Sequence, residues 1–337
     1  MRRLLLFFVA LLIIAGAAAA IYWQHTGTVM QAAGPHREPV QLDVKPGASV
    51  RAVLAELDGR GALADRRAVE VRLRVQGWPK IKAGHYDIPA GATPADILQQ
   101  LAEGRVVLET LTVVEGWTFA VMRRVVEAHP QIKVTLRGKE ISELMEAIGH
   151  PGEHPEGRFF PDTYRFAAGT TDRDLYGLAY RKMAEALDTA WATHAQDLPL
   201  ADAYQALTLA SIVEKETGLA SERPRIAGVF VTRLRRNMRL QTDPTVIYGI
   251  GPSYDGNIRE RDLRTDTPYN TYTRAGLPPT PIALPSREAL EAVAHPLETG
   301  DIFFVATGAG DGSHVFSATL EAHNAAVARY LARMRKH

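Results

Sequence analysis

The chain has 337 residues and is nearly balanced in charge, with 39 Lys and Arg against 38 Asp and Glu. This balance gives no basic footprint of the kind found on nucleic-acid-binding proteins, so we expect no nucleic-acid partner. The sequence has no cysteine, which excludes disulfide bonds, a cysteine nucleophile and a cysteine-rich zinc site.

An uncharged run, Leu4–Trp23, follows the basic N-terminus Met1–Arg3. At about 1.5 Å per residue, a helix of this length spans the ~30 Å hydrocarbon core of a bilayer. Basic residues favour the cytoplasmic side, and Tyr22 and Trp23 would lie at the opposite interface. We therefore predict that residues 1–3 are cytoplasmic and that residues 4–23 form a transmembrane helix.

A cleaved signal peptide is the alternative for this segment. Leu4–Ile14 would be its apolar region, and Ala15–Ala20 offers small residues for cleavage. The following residues, 24–39, are polar, contain Gly and Pro, and are predicted to be a linker.

Residues 40–110 are predicted to form a small α/β unit. Alternating residues predict strands at Val40–Val44 and Gly84–Ile88. Cap residues predict three helix starts: Ser49, for a helix to about Asp58; Asp65, for a helix to about Val75; and Thr93, followed by Pro94.

Residues 111–337 are predicted to form a larger α+β domain, which a strand at Val106–Val114 leads into. Further strands are expected at Ile302–Ala306 and His314–Ser317. Helices are expected at Phe119–Ala128, Ile141–Ala147, Arg173–His194, Ala201–Glu216, Ser221–Arg236 with Ser221 as its cap, Ser286–Ala294 and Leu320–Arg335. Gln241–Pro285 is dense in Thr, Asp, Pro, Asn, Tyr and Gly and is predicted to be a long, mostly non-helical functional segment.

Glu216 is the first candidate for chemistry. With about 100° per helical residue, it lies about 20° from Leu209, on the apolar stripe that also carries Ile212 and Val213. Glu214 lies about 140° from Leu209, on the polar side. Burial raises the pKa of a carboxyl group, and a protonated carboxyl at neutral pH can act as a general acid. A helix-end Glu that reaches solvent or is capped by a neighbour is the alternative.

Several polar and aromatic residues downstream are candidates for contacts with a sugar polymer. Aromatic rings stack on sugars, and amide, hydroxyl and carboxylate groups bond to sugar hydroxyls. The candidates are Gln241, Thr242, Asp243, Tyr269, Asn270, Tyr272 and His314. Taken singly, each also has a structural interpretation: a core Tyr, a turn-forming Asn, a helix-capping Asp or a core His.

The chain has no His-Glu-x-x-His helix, no Gly-x-Ser-x-Gly elbow and no phosphate loop ending in Gly-Lys-Ser/Thr. We therefore expect no metal and no cofactor. Glycoside hydrolysis with two carboxylates would pair Glu216 with Asp243 or Glu222, and the sequence leaves this open.

Ordered motifs run along nearly the whole chain. They are Lys82–Tyr86, Val114–Gly116, Glu156–Tyr164, Glu214–Thr217, Ala220–Arg223, Arg239–Gly249, Pro268–Thr273, Gly276–Pro279 and His314–Phe316. With these motifs the chain resembles the endolytic murein transglycosylases, the membrane-bound lytic transglycosylase G or YceG-like family. Departures are Thr280, where relatives often have Gly, and the variant segment Pro281–Ser286.

The resemblance implies that Glu216, the second Glu of Glu-Lys-Glu-Thr, is the catalytic residue. It implies a LysM-like subdomain at residues 40–110 and a YceG-like catalytic domain at 111–337. The implied reaction cleaves the β-1,4 bond between N-acetylmuramic acid and N-acetylglucosamine and leaves a 1,6-anhydro end, which would terminate elongation of nascent strands.

The implied location is the bacterial inner membrane, with a single span and the catalytic domain in the periplasm. Peptidoglycan strands, the membrane and cell-wall synthases are the implied partners. Two alternatives stay open: a non-catalytic glycan-binding scaffold of the synthesis complex, and a water-using muramidase with Asp243 or Glu222 as second carboxylate.

Overall fold

The computed structural model describes residues 2–335. The chain divides into two compact units: residues 1–109 together with 165–169 form unit 1, and residues 110–164 together with 170–337 form unit 2. Helices and short strands occur in both units, so the α+β class predicted from the sequence is confirmed.

The N-terminal helix, α1 (Arg2–Gln31), exposes its apolar side chains. Its 18-residue apolar window has a mean hydropathy of 2.9 and is 0% buried. By length and composition, α1 is therefore able to cross a membrane. Residues 24–31 of the predicted linker are the last turns of this helix.

Unit 1 continues with a strand pair and three helices in the predicted order. These are β1 (Val40–Val44), α2 (Val50–Gly59), α3 (Arg66–Gln76), β2 (Gly84–Ile88) and α4 (Pro94–Glu103). The strands are antiparallel, with Leu42 opposite Tyr86, and both side chains are fully buried in the core of the unit. Ser49, Asp65 and Thr93 cap the three helices as predicted.

The next elements lead into unit 2. They are β3 (Leu108–Thr112), α5 (Phe119–Ala128), α6 (Ile141–Ala147), β4 (Thr163–Ala167) and α7 (Asp172–Ala192). Strand β3 is shorter than predicted, and β4, its partner in a two-stranded sheet, was not predicted. The sequence signal for β4 is the alternation of Tyr164 and Phe166 with polar residues. In the structure these two side chains are buried, and Thr163 and Arg165 are exposed.

The following helices carry most of the candidate site. They are α8 (Ala203–Glu216), α9 (Arg223–Arg235), α10 (Asp243–Ile250), α11 (Glu260–Arg264) and α12 (Arg287–Ala294). Gln241–Pro285 is mostly non-helical, as predicted, but it contains two short helices that were not predicted, α10 and α11, and a 3₁₀ turn at Gly251–Ser253. The predicted Ser221 cap is also wrong, since Glu222 precedes α9 and makes no side-chain cap bond.

The chain closes with β5 (Phe303–Ala306), β6 (His314–Ser317) and α13 (Leu320–Met334), close to the predicted bounds. The two strands are antiparallel, with Phe304 opposite Phe316. Helix α13 packs against both strands.

Helices α7, α8, α9 and α12 enclose the core of unit 2. Gly228 on α9 permits a close approach, because a Cβ there would lie 2.1 Å from the carbonyl oxygen of Leu297. The Leu297 N–H donates to the Pro224 carbonyl at 2.8 Å, which fixes this segment against α9. Helix α8 packs against α7, α9 and α12 in this core.

Candidate functional site

Glu216 is the last residue of α8. Leu209, Ile212 and Val213 on the same stripe are fully buried, as predicted, and Glu216 itself is partly buried. Burial raises the pKa of its carboxyl group to about 7, because desolvation disfavours the charged form. Near neutral pH, both protonation states of Glu216 are therefore accessible.

Three neighbours act on the Glu216 carboxyl in addition to burial. The hydroxyl of Thr242 donates a hydrogen bond to Oε1, and this bond lowers the pKa. The negative charge of Asp243 raises the pKa of Glu216, and the positive charge of Arg233 lowers it. Burial is the largest effect, so the net shift of the pKa is upward.

The position of Thr242 is set by hydrogen bonds on both sides of its backbone. Its N–H donates to Oγ1 of Thr271 at 3.0 Å, and its carbonyl accepts from Thr245 Oγ1 at 2.8 Å. Gln241 before it has φ of 50°, a left-handed conformation that is unusual for a residue with a side chain. Thr242 precedes α10 but makes no side-chain cap bond, because its hydroxyl points to Glu216 instead.

Asp243 and Tyr272 form a pair next to Glu216. The Tyr272 hydroxyl donates to Asp243 Oδ1 at 2.6 Å. Burial raises the pKa of Tyr272, and the hydrogen bond to Asp243 raises it further. The phenol therefore stays protonated as a donor, while Asp243 is exposed beside the acid candidate.

Asn270 has a structural position in the same segment. Its side-chain amide donates to the carbonyls of Asp262, Leu263 and Thr265 at 2.7–3.1 Å, and its Oδ1 accepts from the Tyr272 N–H at 2.8 Å. Asn270 is 1% exposed, so it fixes the loop that carries Tyr272.

Tyr269 lies between α10 and the segment that departs from the family pattern. Its hydroxyl is 2.9 Å from Oγ1 of Thr280, and its ring meets the ring of Tyr248 edge to face at 4.8 Å. The Thr280 hydroxyl donates its proton to the Pro281 carbonyl at 2.8 Å. The hydroxyl of Thr280 is thus accommodated by two local hydrogen bonds.

Glu156 is a second buried carboxyl that the sequence reasoning did not single out. It is 3% exposed and accepts hydrogen bonds from the Phe119 N–H at 2.9 Å and from the Tyr248 hydroxyl at 3.0 Å. Burial raises its pKa to about 7. It lies in a loop without periodicity, so its sequence gave no signal of burial.

The prediction that Glu214 lies on the polar side of the helix is wrong. Its side chain is 6% exposed and lies 3.6 Å from a guanidinium nitrogen of Arg223. It accepts hydrogen bonds from the N–H and the hydroxyl of Ser286, the residue that caps α12. Glu214 therefore ties α8 to the start of α12, and its carboxyl is already engaged.

His314 and Glu222 form a pair of their own. The His314 Nδ1 lies 2.7 Å from Glu222 Oε2, and the His314 N–H donates to Glu222 Oε1 at 3.1 Å. This pair links β6 to the segment between α8 and α9, which begins directly after Glu216. Both oxygens of Glu222 are engaged by His314, unlike the exposed Asp243.

A groove of about 460 Å³ follows the N-terminal half of α8. Tyr204, Gln205 and Thr208 form one side, and residues 276–279 form the other. Among residues 2–335 there is no cluster of three or more His, Asp and Glu side chains arranged to hold a metal ion.

A carboxyl group with a pKa near 7, such as that of Glu216, can donate a proton and then accept one near neutral pH. The model of the YceG-like family matches residues 42–329. The chain belongs to this family.

Relatives and a solved structure agree with this assignment. The endolytic murein transglycosylase of Bacillus subtilis strain 168 is 28% identical over 87% of this chain and 85% of its own length. That of Streptococcus pneumoniae strain D39 is 26% identical over 87% of this chain, which spans 58% of that relative. A yceG-like protein of Listeria monocytogenes, with 26% identity and a TM-score of 0.52, aligns over 86% of this chain and 99% of its own.

Proposed function

We propose that the protein is an endolytic murein transglycosylase in which Glu216 is first the general acid and then the general base. The observation that carries the proposal is the partly buried Glu216 carboxyl with a pKa of about 7 and a hydrogen bond from Thr242. The names of the relatives from Bacillus subtilis and Streptococcus pneumoniae support the same activity and substrate.

In the proposed reaction, protonated Glu216 gives its proton to the oxygen of the β-1,4 bond between N-acetylmuramic acid and N-acetylglucosamine. The bond to the anomeric carbon breaks, and N-acetylglucosamine leaves as an alcohol. The Glu216 carboxylate then takes the proton of the muramic C6 hydroxyl, whose oxygen closes the 1,6-anhydro ring. The nucleophile belongs to the substrate and gains a high effective concentration, so no water and no second carboxylate are required.

The remaining site residues would hold the glycan strand. Tyr272 and Asp243 present a phenol and an exposed carboxylate beside Glu216, and Gln241 is exposed next to Thr242. Tyr269 and His314 would shape the loops around the strand. Asn270 would act indirectly, through the loop that carries Tyr272.

The proposal includes the setting of the enzyme. Helix α1 would anchor the chain in the inner membrane, with the N-terminus cytoplasmic and the catalytic domain, residues 111–337, in the periplasm. Residues 40–110 would be a LysM-like subdomain that binds glycan. Cleavage close to the membrane would terminate nascent strands, with cell-wall synthases as neighbours.

The test is digestion of purified peptidoglycan with the wild type and with Glu216→Gln, followed by mass spectrometry of the products. Removal of a general acid should lower the rate by about 10²–10⁴-fold. Glu288→Gln, an exposed carboxyl on α12, is the control and should cleave normally. Full activity of Glu216→Gln would refute the role of Glu216, and if that variant also complements a deletion, a glycan-binding scaffold is the better description.

A water-using muramidase is the second candidate, because the charge of the exposed Asp243 acts on Glu216. Such an enzyme would leave reducing N-acetylmuramic acid, heavier by one water than the anhydro sugar. Digestion in ¹⁸O-water separates the two, since only the muramidase puts the label into the new end. Asp243→Asn would then abolish cleavage rather than alter its pH dependence.

A further inference from the structure

Arg233 is a buried positive charge near the C-terminal end of α9, and it is 7% exposed. Its hydrogen bonds go to backbone carbonyls: Nε donates to Ile302 at 2.7 Å, and Nη1 donates to Leu240 at 2.7 Å and to Arg239 at 3.3 Å. Among the described residues it forms no ion pair with a carboxylate. Burying a charge without a paired countercharge is costly, so its retention here calls for a reason.

The carbonyls that Arg233 holds lie directly before the candidate acid's hydrogen-bond donor. Arg239 and Leu240 are followed by Gln241, in its left-handed conformation, and then by Thr242, which donates to Glu216. Few backbone torsions separate the fixed Leu240 carbonyl from the Thr242 hydroxyl. The guanidinium therefore holds the segment that leads into Thr242, and it acts together with the bonds from Thr242 to Thr271 and Thr245.

The charge of Arg233 acts on the same site. It lowers the pKa of Glu216, against the upward effects of burial and of the Asp243 charge, both of which are larger. Tyr272, bonded to Asp243, and His323 on α13 are the other titratable groups that the charge of Arg233 reaches.

We propose that Arg233 is a positioning residue that fixes Thr242 against Glu216 and a buried countercharge that favours the ionised Glu216 formed when the proton is donated. This inference rests on the proposed function. It gives the unpaired guanidinium a role in the second step, where Glu216 must be a carboxylate that accepts the proton of the C6 hydroxyl.

The test is an NMR titration of the Glu216 carboxyl in the full chain in detergent, with ¹³C-labelled Glu and with Glu216→Gln to assign the signal. In Arg233→Met we expect the pKa of Glu216 to rise, because a positive charge that favours the ionised carboxylate is removed. Cleavage of purified peptidoglycan should then fall off at correspondingly higher pH, because the acid stays protonated longer. Arg235→Met, an exposed guanidinium on the same helix, is the control and should shift neither value.

Arg233→Lys separates the two roles, since it keeps the charge but cannot bond to the carbonyls of Ile302 and Leu240 together. The pKa of Glu216 should stay near the wild-type value while kcat falls about tenfold, because Thr242 is misplaced. An unchanged Glu216 pKa in folded Arg233→Met overturns the countercharge role. A wild-type kcat in Arg233→Lys overturns the positioning role. This outcome can be read even if Arg233→Met does not fold. The titration needs no activity, so it is independent of the Glu216→Gln test of the proposed function.

Discussion

Two carboxylates that are two residues apart on α8 have different surroundings. Glu214 is engaged by Arg223 and Ser286 and ties two helices together. Glu216 has a hydroxyl as hydrogen-bond partner, and burial brings its pKa to about 7. Helical periodicity distinguished the two residues, but it assigned Glu214 to the polar side of the helix. Periodicity within one helix cannot reveal Ser286, the partner of Glu214, because that residue is 72 positions away in the sequence.

Thr242→Val should raise the pKa of Glu216, since the lost hydrogen bond stabilises the ionised form. The fall of activity with rising pH should then move to higher pH, and kcat should fall about tenfold because the carboxylate loses its orientation. The pH–rate profile on purified peptidoglycan measures both effects. Thr242→Ser keeps the hydroxyl and should retain the wild-type profile. A wild-type profile in Thr242→Val would contradict the role of this hydrogen bond.

Glu156 makes the stability of the protein depend on pH. Its folded pKa of about 7 lies above the ordinary value of 4.5, so the folded state binds the proton more tightly. Its contribution is fully present below about pH 4.5 and is lost as the pH rises through about 7. Glu156→Gln cannot ionise, so its unfolding free energy relative to wild type should rise by about 3 kcal/mol from pH 4.5 to pH 8.

Urea unfolding of both proteins at a series of pH values measures this difference. Glu288→Gln, which changes an exposed carboxyl, should show no such trend. A difference that is independent of pH would mean that Glu156 has an ordinary pKa in the folded protein.

At the scale of elements, α10 shows what the sequence could predict and what it could not. Thr242, Asp243 and Pro244 are signals of a helix start, but the surrounding Thr, Asp and Pro residues favoured loops. Thr242 leaves its cap bond unmade and donates to Glu216. A long-range contact thus replaces a local one that is worth about 1 kcal/mol at a typical helix start.

The contact between Glu214 on α8 and Ser286 at the start of α12 predicts that two cap mutations differ in their cost in unfolding free energy. Ser286 caps α12 and also donates to the buried Glu214, whereas Thr319 only caps α13. Thr319→Ala should cost about 1 kcal/mol of unfolding free energy. Ser286→Ala should cost about 1–3 kcal/mol more, because it also removes the hydroxyl's hydrogen bond to a buried carboxylate. Denaturant unfolding measures both, and equal costs would contradict the connection.

At the scale of the whole molecule, the order and type of most elements could be predicted, because caps and periodicity are local signals. Of the predicted residues, Thr242, Asp243 and Tyr272 lie near Glu216. The surroundings of Arg233 and Glu156 could not be predicted, because they depend on contacts between segments that are distant in the sequence. Arg233 donates to the Ile302 carbonyl, and Glu156 accepts from the Tyr248 hydroxyl. No spacing in the sequence encodes such contacts.

The N-terminal helix α1 leads to a prediction about mass. If α1 is retained, the protein in the membrane fraction should have the full mass of 36.9 kDa, since the apolar run itself holds it there. Intact mass spectrometry after extraction with detergent measures this. A species that begins after one of the residues Ala15–Ala20 would instead identify a cleaved signal peptide.

The Ile302 carbonyl that accepts from Arg233 has a consequence for the order in which the site is completed. A chain still in synthesis can form α8 and α10 long before Ile302 has emerged. Until then the guanidinium lacks one of its three carbonyl acceptors, and only its bonds to Arg239 and Leu240 are available. The contacts behind Glu216 and Thr242 are therefore complete only once the chain has reached its last strands.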